Sequence, residues 1–246
     1  MNKSKLLIIG TLPGMWIIYF LFELISGNLT NTYEILMNLS LSILFLGVGH
    51  ILYLLHQKYK TGLSSKKLWL IFIILMLLDQ GSKLIIKLFF FDNRFEAIPK
   101  FLSFHPIINT QGSWLNVRFN TGINFGTLII LNIIAIFFFI EFYRYFTQKF
   151  YKDFWTDLCF IFIIAGCLCS LIDKIFYGGS LDFIAISNLF IADIKDIYIN
   201  IAIFSFILAS YFSGFLSSND KGIKNDLNEI KNFFIFIRND IIRKNK

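Results

Sequence analysis

The chain has 246 residues, of which 56% are hydrophobic and 18% aromatic, with 31 Phe. That composition excludes an ordinary soluble domain and points to a membrane protein. The formal charge of +7 does not indicate nucleic acid, because the Lys and Arg sit between apolar segments rather than in a basic surface run.

Apolar segments of about the length that crosses a bilayer fall at 5–26, 35–55, 68–91, 126–147, 155–176 and 194–216. The first begins "MNKSKLLIIG", like a secretory signal, but no small-residue cleavage pattern follows, so an uncleaved anchor is expected. Six spans put both termini on one side. The 56–67 connection carries four Lys, the 142–153 stretch carries Arg144, Lys149 and Lys152, and seven basic residues follow Ser217. By the positive-inside rule these regions and both termini are cytoplasmic. The connections at 27–34, 92–125 and 177–193 then face outward.

The 92–125 connection contains Pro99, Pro106, "NTQGSW" and the alternating "WLNVRF", which predict a small sheet over the membrane surface. Cys159, Cys167 and Cys169 share one apolar segment and predict neither a disulfide framework nor a metal site. In the tail, Ile223, Leu227, Ile230, Phe234, Ile237 and Ile241 recur at steps of three and four, the pattern of an amphipathic helix at the inner interface. A partner-binding helix is the other reading.

Ionisable side chains at membrane depth are costly and mark candidate functional positions. Asp79 and Lys83, four apart, share a helical face and can neutralise each other. "FNTGINFG" offers the Asn120 and Asn124 amides beside Gly122, although a capped turn before a helix reads the same. Asp173 and Lys174 end the fifth span. Asp193 and Asp196 share one face at the start of the sixth, and Asp182 precedes them by a short loop. Carboxylates from separate segments meeting in a poorly solvated place share a proton, and such a pair can hold a water between a base and an acid. The alternative, acids capping a helix start, accounts for one of the three.

In order along the chain, these motifs resemble bacterial lipoprotein signal peptidase, or signal peptidase II. The family's "DQ..K" is matched by Asp79, Gln80 and Lys83, and its "N.G.aF" by Asn120, Gly122 and Phe125, with Asn124 where the family has Ala. Its "GN.iDR" is matched in part by "CSLIDK", with Ser170 for Asn, Asp173 kept and Lys174 for Arg; "vvDF" is matched by Leu181, Asp182 and Phe183. "FN.AD" fits in two registers. One ends on Asp196, with Asp193 in the Asn position and Lys195 in the Ala position; the other ends on Asp193. The first keeps "DIYINIA" in step with the span that follows.

The resemblance implies a four-helix signal peptidase II-like core at 68–216 with a small outer β-sheet at about 92–125. With the two amino-terminal helices at 1–67 and the basic cytoplasmic tail at 217–246 read from hydropathy and charge, an all-α membrane protein of six transmembrane helices is expected. It implies an inner-membrane aspartyl endopeptidase that cuts the signal peptide of diacylglyceryl-modified prolipoproteins. Asp182 and Asp196 would be the catalytic acids, with Asp193 the alternative second acid. Asp79, Lys83, Asn120, Gly122, Asn124, Ser170, Asp173 and Lys174 would support them or the substrate. No cofactor or metal is expected, partners are lipidated precursors and membrane lipids, and inhibitors resembling the cyclic peptide globomycin are expected to bind. Lys195 either faces the lipid headgroups or lowers a neighbouring acid's pKa. The altered "CSLIDK" and Lys195 also fit a homologue that binds lipoproteins or lipopeptides without cutting them. A transporter is the weakest reading, because the chain has neither the helix number nor the internal repeat of common transporter folds.

Overall fold

The computed structural model describes residues 3–110, 122–215 and 223–244. In a bilayer every backbone polar group must be satisfied within the protein, which long apolar helices do. Six helices among the described residues are long and apolar enough to cross a membrane. They are α1 (Lys3–Ile25), α2 (Thr32–Lys58), α3 (Ser65–Ile85, continued by a π-helical turn at Ile86–Phe90), α4 (Phe125–Lys149), α5 (Phe154–Phe176) and α6 (Ile194–Phe212). Each lies on one of the six expected segments. Polar side chains start four of them: Asn31 caps α2, Asn124 caps α4, Asp153 caps α5 and Asp193 caps α6.

Lipid tails are as apolar as leucine, so these helices associate through close packing and buried polar bonds. α1 packs along α2, and α5 along α6; α3 and α4 lie against α5. At Gly166 of α5, an added Cβ would come within 3.1 Å of the Ile199 side chain of α6. The central cluster joins Trp155 and Leu158 of α5, Phe204 and Leu208 of α6, and Ile8 and Leu12 of α1. α4 is the least buried span.

One end of the bundle carries an antiparallel sheet in the order β1-β2-β3-β4, made of β1 (Phe95–Ile98), β2 (Leu102–Asn109), β3 (Ser180–Ile186) and β4 (Phe190–Ala192). The sheet is therefore not confined to 92–125: half of its strands come from 180–192, which the sequence pattern presents as a connection. β3 is buried on both faces and lacks clean alternation, and its partner β2 is far away in the chain, so its pairing is not a local property. "WLNVRF" lies outside the described residues. Register sets Ile107 opposite Asp182 and Asn109 opposite Ser180, while Leu181 and Phe183 pack on Ile86 at the end of α3.

The expected amphipathic helix is present as α7 (Ile223–Lys244). Part of its apolar side docks on α4: the Phe233 ring lies 5.8 Å from Phe142 and 5.5 Å from Tyr145. The Arg144 guanidinium donates both its terminal nitrogens to the Asp240 carboxylate at 2.5 Å, the bidentate geometry that makes Arg the stronger partner. Leu227, Ile230 and Ile241 remain exposed. Arg144→Ala should loosen α7, so limited proteolysis should remove the carboxy-terminal helix several-fold faster than in wild type while α1 to α6 stay intact. Equal rates would mean that the ring contacts suffice alone.

Candidate active site

Where the ends of α3 and α5 meet the sheet and the start of α6, the cluster is built on the ammonium of Lys83. One helical turn separates it from Asp79, so the two share a face. Lys83 Nζ lies 2.8 Å from Asp79 Oδ2, 2.6 Å from Asp173 Oδ2 and 2.6 Å from Asp193 Oδ2, and all four side chains are fully buried. An ammonium has three N–H donors, and here each meets a carboxylate from a different segment. Gln80 Nε2 ties two of those acids further, donating to Asp79 Oδ2 at 2.9 Å and Asp173 Oδ1 at 3.0 Å. Asp79 Oδ1 accepts the Lys195 amide at 2.9 Å, which pins the first turn of α6 to α3.

The first turn of α6 is closed by a reciprocal capping box. Asp193 Oδ1 accepts the Asp196 amide at 3.2 Å, and Asp196 Oδ2 accepts the Asp193 amide at 3.1 Å. From the sheet, β3 brings Asp182 to the same place. Asp182 Oδ1 accepts the Ser180 hydroxyl at 2.6 Å and Oδ2 accepts the Asn109 amide at 3.0 Å. Carboxylate oxygens of Asp182, Asp193 and Asp196 lie within 4.8 Å of one another.

Lys195 takes the inward of its two expected orientations. Its side chain is 6% exposed, and its ammonium donates to Asp193 Oδ2 and to the Ser180 hydroxyl. It also lies 3.3 Å from Asp173 Oδ2 and 3.8 Å from Asp182 Oδ1. By spacing alone the three acids suit a hard cation, but within their group Lys195 supplies the positive charge. Five carboxylates, of Asp79, Asp173, Asp182, Asp193 and Asp196, thus surround two ammoniums. Full ionisation leaves excess negative charge in a poorly solvated place, where retaining a proton is the cheaper solution. Burial pushes the Asp182 carboxyl above its ordinary range against the pull of Lys195. Burial also acts to raise Asp193, but the Lys195 and Lys83 ammoniums outweigh it and hold that carboxyl low.

Other expected positions stand apart. Lys174 donates to the Ser170 hydroxyl at 2.5 Å, so the two substituted residues of "CSLIDK" bond to each other. Gly122, at φ +66, and Asn124 form the exposed cap of α4, where Asn124 Oδ1 accepts the Thr127 amide at 2.8 Å. Asn120 lies outside the described residues. Gln80 is marked in the sequence only by the "DQ..K" match, and Ser180 and Asn109 are not among the expected site residues. A signal existed for Ser180, which is two residues from Asp182 and so on the same strand face. Asn109 reaches the site only through the β2–β3 register.

A model of the signal peptidase (SPase) II family matches residues 71–212. The lipoprotein signal peptidase of Microcystis aeruginosa (strain NIES-843 / IAM M-2473) is 27% identical over 154 residues, covering 60% of this chain and 94% of that protein. That of Wigglesworthia glossinidia brevipalpis is 33% identical over 96 residues, covering 38% of this chain and 56% of that protein. A bacterial membrane enzyme solved by the in meso method at 2.3 Å resolution shares the fold with a TM-score of 0.50 at 21% identity, covering 67% of this chain and 98% of its own. The match begins within α3 and ends with α6, taking in every acid of the cluster, and the chain belongs to the signal peptidase II family of membrane peptidases.

Proposed function

We propose that this protein cleaves the signal peptides of lipid-modified prolipoproteins, with Asp182 and a carboxylate from the start of α6 activating water. The observation that carries the reading is the approach of Asp182, Asp193 and Asp196 to within 4.8 Å, from a strand on one side and a helix start on the other. The second acid is Asp196. In "FN.AD" the Asn and Asp are three apart, the spacing of a helix cap and its third residue, and Asp193 and Asp196 form that box here. Asp193 is then the structural member, its Oδ1 held by the Asp196 amide and its Oδ2 by two ammoniums.

In the cycle, one acid takes a proton from water as the water attacks the scissile carbonyl. The other, protonated, polarises the carbonyl oxygen and then assists the departing amine. Burial-raised Asp182 is suited to hold the proton. Asn109 and Ser180 fix its two oxygens, and Asp79, Lys83 and Asp173 hold the start of α6 at the working distance. The phenylalanine-rich span surfaces offer an apolar path for the substrate's acyl chains. The basic connections support an orientation with both termini in the cytoplasm and the sheet on the outer face of a bacterial inner membrane.

The buried Lys195, which counters charge between the acids, gives a second reading its basis: a homologue that binds lipidated precursors without cutting them. Purified protein incubated with a lipidated precursor separates the two, since cleaved product belongs only to the first.

Asp182→Asn and Asp196→Asn should each lower processing at least about a hundredfold while the protein still inserts in the membrane; near-wild-type product from either variant removes it from the dyad. Lys195→Ala takes an ammonium from beside Asp182 and Asp193, so both carboxyls bind their protons more tightly. The acid limb of the pH–rate profile should move upward by about one pH unit. An unmoved limb would mean that Lys195 does not set the charge of the working acids.

A further inference from the structure

α1 and α2 lie outside the stretch that the family model matches, which begins at residue 71. They nevertheless touch the segment that joins the two sides of the site. Asn38 of α2 is fully buried, and its Nδ2 donates to the Ser187 hydroxyl at 2.9 Å. Asn38 is further held within the helical pair: its Nδ2 also donates to Glu34 O at 2.9 Å, and its backbone carbonyl accepts the Trp16 indole of α1 at 2.7 Å. Tyr19 of α1 meets Phe190 of β4 edge to face, with centroids 5.8 Å apart.

Ser187 forms the turn between β3 and β4. Its φ of 47° is one that non-glycine residues seldom adopt, and its amide donates to Phe101 O at 2.7 Å. β3 carries Asp182, and β4 runs straight into Asp193 and the capping box that presents Asp196. A shift of this turn therefore moves one acid relative to the other. The helical pair that grips it is also fixed to the core. A Cβ on Gly49 would sit 2.8 Å from Ile9 O, so α1 and α2 pack backbone to backbone, and Ile8 and Leu12 of α1 are buried with Phe204 and Leu208 of α6.

We propose that the amino-terminal helical pair is a positioning device for the peptidase site, with Asn38 as its positioning residue, setting the separation of Asp182 from Asp196 through the β3–β4 turn. The inference rests on the dyad reading above. The charged groups that face the dyad are Asp79 and Lys83 from α3, Asp173 from α5, and Asp193 and Lys195 from the start of α6. The closer two acids are held, the further apart their two macroscopic proton losses lie. Loosening the turn should bring the two limbs of the pH–rate profile together as well as slow the reaction.

The test uses full-length protein and a lipidated precursor peptide. Asn38→Ala should lower kcat by roughly tenfold or more, leave KM within about twofold of wild type and narrow the pH–rate bell. Ser187→Gly removes the same hydrogen bond from the turn side and suits its backbone angle; it should reproduce the effect even if Asn38→Ala fails to fold. The double variant should lose no more than the larger single loss, because both changes break one bond. Asp182→Asn run in parallel separates the two claims. If it processes normally, the dyad reading falls and this inference with it. If it is inactive while Ser187→Gly and Asn38→Ala keep the wild-type kcat and pH profile, only the positioning role is overturned.

Discussion

A single ammonium organises this protein at its sheet-bearing end. Lys83 arrives on a membrane helix, where an unpaired charge is expensive, and its three donors are taken up by Asp79, Asp173 and Asp193. Those acids come from α3, α5 and the cap of α6, so one side chain draws three helix ends to a point. Breaking such a buried pair by removing one partner typically costs about 3–5 kcal/mol, because the other charge is left uncompensated. The cluster thus fixes geometry more than it adds net stability, and that geometry is what the proposed water activation requires.

The sheet completes the arrangement from the other side. β3 hydrogen-bonds to β2 and β4 along both edges and packs its buried residues against the end of α3, which gives Asp182 a rigid seat. Asn109 and Ser180 then orient its two oxygens. Helix-borne acids held by lysines thus meet a strand-borne acid held by neutral donors. Their surroundings push their proton affinities apart: at Asp193 two ammoniums outweigh burial and hold the carboxyl low, while at Asp182 burial outweighs Lys195 and the Ser180 and Asn109 donors and raises it. Lys195 acts on both acids, more strongly on Asp193, which it bonds directly, than on Asp182 at 3.8 Å.

Much of this was legible in the sequence because it is local. Span positions follow from hydropathy, the pairing of Asp79 with Lys83 from helical spacing, and the shared face of Asp193 and Asp196 from their three-residue step. What escaped is non-local. Asn109 joins the site through a strand pairing that brings it to an acid 73 residues further along the chain, and β3 resembles a connection because both of its faces are buried. The orientation of Lys195 is set by Asp173 and Ser180, which approach from other segments, so the sequence left two orientations open. The amphipathic tail helix was visible from its period, but its seat on α4 depends on Arg144 finding Asp240, a pairing no periodicity encodes. The contacts of α1 and α2 with the β3–β4 turn belong to the same class.

In the proposed mechanism Asp182 and Asp196 hold one proton between them at neutral pH. Infrared difference spectroscopy of the purified protein, recorded across a pH titration, reads protonated carboxyl groups directly. A proton shared by Asp182 and Asp196 should give a protonated-carboxyl band that persists at neutral pH and is altered in Asp182→Asn and in Asp196→Asn alike, each variant removing one owner of the proton. A spectrum with no protonated carboxyl at neutral pH, or a band indifferent to both substitutions, would contradict it.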